Sequence, residues 1–201
     1  MNLKKANDLK RAQCIRGNTI VLKPGEQYKV QQTVDVIIDQ LIELGADVEL
    51  VYGAVTIAPP ANCHSYQTLS AKAMKAKCDE IFPTCDVLIM AAAVADYHAV
   101  DVASEKIKKS DDTLTLTLAK NPDILKSLSE TKKEHQVLIG FALETEKEEF
   151  HALEKLQKKN LDCIVLNSLK NPNAGFAVDT NEVTLYCKDG EQFHIPTQQK
   201  D

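Results

Sequence analysis

The chain has 201 residues, 44% hydrophobic and 26% charged, enough for one buried core in a single domain spanning residues 1–201. Its formal net charge of −5, from 24 Lys and Arg against 29 Asp and Glu, argues against general nucleic-acid binding, which draws its affinity from phosphate neutralisation. No apolar run reaches bilayer length, and Met1-Asn2-Leu3-Lys4-Lys5 opens no secretory signal, so a cytoplasmic protein with no membrane partner is expected.

Residues 1–30 carry few readable signals: Ile20-Val21-Leu22 is a short apolar run, closed by the turn residues Lys23-Pro24-Gly25-Glu26. From Thr33 the pattern turns helical, with Val34, Ile37, Ile38, Leu41 and Leu44 on one face and Gly45 as terminator. Asp47 to Val51 alternates like a strand, Pro59-Pro60 breaks the chain, and Ser70 to Ile81 predicts a helix with Ala71, Met74 and Cys78 on one stripe. Asp86-Val87-Leu88-Ile89-Met90 predicts a strand covered on both faces. Thr113 to Leu118 alternates strictly and predicts a half-exposed strand. Asn121-Pro122-Asp123 predicts a helix start, with Asn121 as N-cap, Pro122 in the first turn and Asp123 favoured by the helix dipole.

Val137-Leu138-Ile139 predicts a buried strand, Glu146 to Lys159 a charged helix, and Cys163-Ile164-Val165-Leu166 a third buried strand. Val183 to Tyr186 and Gln192 to Ile195 flank Lys188-Asp189-Gly190, a hairpin signal. This alternation predicts an α/β, Rossmann-like fold: a mostly parallel sheet with helices on both faces and a C-terminal β-hairpin extension. The six cysteines (Cys14, Cys63, Cys78, Cys85, Cys163 and Cys187) contain no C-x-x-C pair, so neither structural zinc nor a disulfide is expected. Cys85 and Cys163 border apolar runs, where a reduced cysteine behaves as a small hydrophobe.

Ligands of open parallel sheets bind beyond the carboxyl ends of the strands. Three segments turn polar or small there: Ala91 to Tyr97, Gly140 to Thr145, and Asn167-Ser168. Small residues at such a place let a ring or sugar approach the backbone, and Asp96 can accept hydrogen bonds from hydroxyls or an amine; a tight packed turn is the ordinary alternative. Glu105-Lys106-Ile107-Lys108-Lys109 sets three cations within four positions, and Lys155 and Lys159 share a helix face; both patterns suit phosphate as well as plain solvent. The helix start at Asn121 to Asp123 also offers free N–H groups to an anion. His64, His98, His135, His151 and His194 are scattered and receive no metal or catalytic role, and no P-loop or G-x-G-x-x-G fingerprint is present.

Taken in order, Ala91 to Tyr97, Glu105 to Lys109, Lys120 to Asp123, Ile139 to Thr145 and Lys159 to Asp162 resemble the phosphopantothenate–cysteine ligase family of coenzyme A biosynthesis. Gly175-Phe176 and Asp179-Thr180-Asn181 resemble its later loop. The resemblance implies an enzyme that spends CTP to activate 4'-phosphopantothenate as an acyl-cytidylate, which the amine of L-cysteine then attacks. It implies that Asp96 and the backbone of Ala92 and Ala93 hold cytidine, that Lys106 is catalytic at the reacting phosphate, and that Lys120, Asn121, Pro122, Asp123 and Phe141 complete the nucleotide pocket. Lys155 and Lys159 would hold the triphosphate with Mg2+, no protein metal site is implied, and a homodimer is expected.

The N-terminus departs from the family pattern: Tyr28 to Val34 contains no Gly, His or Asn where a loop of that type is expected. Two readings therefore stand open, an active ligase and a non-catalytic nucleotide-binding relative.

Overall fold

A computed structural model describes residues 39, 41–55, 58–103, 105, 115–144, 146–168 and 180–199. Of the helix expected from Thr33, the described end is helical at 41–43 and stops at Gly45, whose φ of 87° is the left-handed geometry that glycine adopts without strain. The Ile20 to Glu26 and Tyr28 to Val34 segments lie outside the described residues.

The first strand, β1 (Glu49–Tyr52), pairs in parallel with β2 (His64–Gln67) as a two-stranded sheet. Helix α1 (Ala71–Ile81) follows, capped where Ser70 Oγ accepts the Ala73 N–H at 3.1 Å, and buries Met74 and Cys78 as their spacing predicts. Next come β3 (Val87–Met90), β4 (Tyr97–Ala99), β5 (Leu118–Lys120) and the six-residue α2 (Ile124–Ser129). The chain continues through β6 (Val137–Glu144), α3 (Glu148–Lys158) and β7 (Cys163–Ser168), then closes with the hairpin β8 (Thr180–Cys187) and β9 (Gln192–Gln199).

The central sheet has five strands in the order β3-β6-β7-β8-β9. Its β3–β6 and β6–β7 pairings are parallel, while β7–β8 and β8–β9 are antiparallel. The sheet is therefore mixed rather than mostly parallel, because the terminal hairpin supplies two of its five strands: the short turn between β8 and β9 permits only an antiparallel pair, and β8 lies antiparallel to β7.

The strand register separates two faces. Leu138, Gly140 and Ala142 of β6 share one face with Ile164 and Leu166 of β7 and Tyr186 of β8, and this face is buried beneath Leu125 and Leu128 of α2 and Ala152 and Leu156 of α3. On the opposite face lie Ile89 (56% exposed), Phe141 (47%), Leu143 (38%), Phe193 (46%) and Ile195 (40%). The expected second helical layer is not found among the described residues, and β3 is not covered on both sides. Of the strand expected at Thr113 to Leu118, residues 113 and 114 lie outside the described residues, 115–117 are irregular, and the strand found is Leu118–Lys120, its register set by pairing with Tyr97–Ala99.

Two polar locks tie loops to this core. Gln136, 2% exposed, donates from Nε2 to the carbonyls of Phe82 (2.8 Å) and Cys85 (2.7 Å), while its Oε1 accepts the Lys133 N–H at 2.8 Å. Asp162 pairs with the buried ammonium of Lys132 and accepts the Leu138 N–H at 2.7 Å, fixing the turn into β7 to the start of β6. Cys163 and Cys187 are joined as a disulfide with Cα atoms 4.1 Å apart, contrary to the reduced state expected for Cys163. The Lys188 N–H to Asp162 carbonyl bond (2.8 Å) flanks this pair, placing it at the non-hydrogen-bonded position where cross-strand side chains approach closest.

A Cβ at Gly140 would lie 2.8 Å from Leu161 Cδ1 and 2.9 Å from Leu125 Cδ2. Overpacking of this kind costs roughly 1–3 kcal/mol. Gly140→Ala should lower the thermal midpoint accordingly, whereas Gly53→Ala, whose Cβ meets only the Thr68 carbonyl oxygen at 3.9 Å, serves as the comparison in the same denaturation series.

Candidate functional site

A pocket of about 240 Å3 opens where β3 ends. Its first wall is the loop of small residues after Met90, which presents Ala92, Val94, Ala95 and Asp96. The second wall is Lys120 to Leu125, the end of β5 and the entry to α2. Phe141 of β6 and Lys159, just past the end of α3, complete it. Of the candidate residues, Ala92, Asp96, Lys120, Asn121, Pro122, Asp123, Phe141 and Lys159 thus converge on one cavity.

Asn121 is not the helix cap that its sequence context predicts. Its Nδ2 donates to the Ala95 carbonyl at 2.8 Å and its backbone N–H donates to the Asp96 carbonyl at 2.7 Å, clipping the two walls together. The antiparallel pairing of β4 with β5 draws Asn121 away from α2. The cap falls to Asp123, whose Oδ1 accepts the Lys126 N–H at 3.0 Å. A side-chain carboxylate therefore already occupies one of the helix-end donors considered for an anion, the Lys126 N–H.

Asp123 Oδ2 also pairs with Lys159 Nζ at 2.9 Å. Burial pushes the Asp123 carboxyl up, but the Lys159 ammonium and the Lys126 N–H outweigh it and hold the group below its ordinary value. Lys155 does not line the pocket; its Nζ meets Glu144 Oε1 at 2.5 Å, a carboxylate presented by the last residue of β6. Ala93 lies in the loop but not on the wall, and Lys106 lies outside the described residues. By sequence position, Lys106 belongs to the connection between β4 and β5.

Sequence reasoning missed Met90, Ile124 and Leu125 as lining residues, placed Val94 and Ala95 only within the Ala91 to Tyr97 segment without a role of their own, and missed Glu144 as a partner for Lys155. The apolar five carry no chemical signature, and the Glu144 contact joins two elements whose relative placement no local pattern specifies. A larger cleft of about 570 Å3 is lined by Glu148, Glu149 and Glu182 with Lys147 and Tyr186, and it contains none of the candidate residues. Its acidic lining repels an anion. Among the described residues no group of three or more His, Cys, Asp and Glu could hold a metal ion, and no helix is long and apolar enough to cross a membrane.

A polar, lysine-bearing pocket at the carboxyl end of a strand in a parallel β–β pair lies where open α/β sheets bind their ligands. The chain belongs to the family described as the DNA/pantothenate metabolism flavoprotein C-terminal domain, which matches residues 35–201. It is 42% identical over 160 residues to the coenzyme A biosynthesis bifunctional protein CoaBC of Bacillus subtilis (strain 168), covering 79% of this chain and 39% of that protein. It is 41% identical over 163 residues to a cysteine/cysteine sulfinic acid decarboxylase of an unknown prokaryotic organism, covering 80% and 45% respectively. The crystal structure of the C-terminal domain of a CoaBC protein superposes with a TM-score of 0.64 at 36% identity, covering 80% of this chain and 70% of that one. The chain thus spans less than half the length of these two curated relatives.

The folded-state value of Asp123 lies below its unfolded value, so its stabilising contribution is present above the ordinary carboxylate range and is lost as pH falls through the depressed value. With the Asp123 and Lys159 side chains 40% and 30% exposed, solvent limits that contribution to under about 1 kcal/mol. Asp123→Asn should accordingly show a flatter loss of stability than the parent as pH falls from about 5 to about 2, read by chemical denaturation.

Proposed function

We propose that this domain ligates L-cysteine to 4'-phosphopantothenate at the expense of CTP, in coenzyme A biosynthesis. The observation that carries the reading is the convergence of Asp96, Lys120, Asn121, Asp123, Phe141 and Lys159 on one pocket, in a chain of this family. In this reading the Asp96 carboxylate accepts hydrogen bonds from the nucleoside, and the small side chains of Ala92 and Ala93 let it approach the backbone. Phe141 supplies an apolar surface, while Lys120 and Lys159 meet negative charge. Lys155, one helical turn before Lys159, adds a third cation once the ligand competes with Glu144 for it.

The chemistry requires the pantothenate carboxylate oxygen to attack the α-phosphorus, with pyrophosphate as the leaving group. Lys106 is assigned to that step, where charge builds on the departing phosphate. The cysteine nitrogen then attacks the acyl carbon, expelling CMP and losing a proton to form the amide. Holding both anions beside clustered cations lowers their repulsion before proximity can act. Mg2+ would enter on the triphosphate, since this cation keeps most of its waters and binds substrate phosphates in preference to a protein cage. A cytoplasmic homodimer is part of the same proposal.

A second reading, a nucleotide-binding relative without catalysis, draws on Tyr28 to Val34, where Gly, His and Asn are all missing. Pyrophosphate release from CTP, Mg2+ and 4'-phosphopantothenate, with and without cysteine, separates the two. Release with formation of the cysteine adduct is expected; CTP binding without release would favour the second reading. Lys106→Ala should cut turnover by more than tenfold at unchanged thermal midpoint, a deficit of at least about 1.4 kcal/mol in the transition state. Asp96→Ala should weaken CTP binding by roughly tenfold, the worth of a hydrogen bond to a charged group, as measured by calorimetry.

A further inference from the structure

We infer that Asp123 determines which anions the pocket accepts, by holding Lys159 against any ligand that brings only a single phosphate. The inference takes its location from the nucleotide reading of the pocket but rests on geometry of its own. Asp123 is restrained at both carboxylate oxygens: Oδ1 is anchored by the Lys126 N–H at 3.0 Å and Oδ2 faces Lys159 Nζ at 2.9 Å. Because the cap fixes the carboxylate, it cannot swing clear when Lys159 is taken by another anion. An incoming phosphate must both displace it and remain beside it.

The charge count sharpens the point. The charged side chains lining the pocket are Asp96, Asp123, Lys120 and Lys159, and they cancel. A cavity with no net charge offers little to a small anion. A polyphosphate has a different balance, because it can take Lys159 at one phosphate and reach Lys120 or further cations with the others. A retained repulsive group is a common means of discrimination, since selectivity is a difference of affinities and a carboxylate costs the weaker competitor more. In the proposed reaction the same device would favour entry of a triphosphate over retention of a monophosphate product.

The test measures inorganic tripolyphosphate and inorganic phosphate binding by calorimetry in the parent, Asp123→Asn, Lys159→Ala and the double variant. Asparagine caps a helix as well as aspartate does, so Asp123→Asn removes the charge and keeps the turn; a loss of stability at neutral pH no larger than the small share of the partly exposed ion pair verifies this. Asp123→Asn should tighten inorganic phosphate by about three- to fivefold, the range of a partly exposed ion pair, and tripolyphosphate by less, so that the preference between them narrows. In the Lys159→Ala background the same substitution should change neither constant, because the competition has lost its object.

Weaker binding in Asp123→Asn would overturn the inference by making Asp123 a direct ligand contact. Equal tightening of both anions, persistence of the effect without Lys159, or failure of the parent to bind either anion would overturn it as well. CTP measured on the same proteins separates the two claims: CTP that fails to bind while the anion preference still narrows removes the nucleotide reading alone. CTP that binds with the anion preference unchanged removes this inference alone.

Discussion

Residue 140 has no side chain, and the site depends on that fact. Leu125 and Leu161 reach to within 2.8–2.9 Å of where a Cβ would stand, so α2 and the turn after α3 close directly onto the backbone of β6. Asp123 lies two residues before Leu125, and Lys159 two residues before Leu161, so the packing that seats the two leucines also brings the carboxylate and the ammonium to 2.9 Å. Phe141, the next residue along β6, borders the same pocket. One close approach in the core thereby aligns the lower half of the site.

The upper half is held by hydrogen bonds rather than packing. The small residues from Ala91 to Ala95 have little to bury, and what fixes their path is Asn121, which donates once from its side chain and once from its backbone to the Ala95 and Asp96 carbonyls. The two halves meet at Asp123, which is both helix cap and ion-pair partner. Lysines that look like free cations along the chain are therefore already committed, Lys159 to Asp123 and Lys155 to Glu144. The charged side chains lining the pocket cancel, and an anion that took Lys159 or Lys155 would do so by exchange with a carboxylate.

Much of this was legible along the chain. Apolar runs and caps located α1, β3, β6, α3, β7 and the terminal hairpin to within a few residues, because burial periodicity and turn chemistry are local properties. The candidate residues at the carboxyl ends of strands were legible for the same reason, and eight of them line one cavity. Errors arose where a partner distant in sequence decides. Tyr97 to Ala99 sets the position of β5, the β4–β5 ribbon takes Asn121 from the helix cap, and the antiparallel register of β7 with β8 brings Cys163 to Cys187.

The amino-acid sequence by itself determined the α/β class, most of the elements that frame the pocket, and eight of the residues that line it. Each of these follows from propensity, spacing and side-chain chemistry within a short window. Only the tertiary structure decided that the sheet is mixed, that one apolar face stands uncovered among the described residues, and that each lysine on α3 and its end faces a carboxylate. Those features depend on which surfaces meet, through contacts such as Leu125 and Leu161 against Gly140 or β7 against β8, between segments that no local pattern relates.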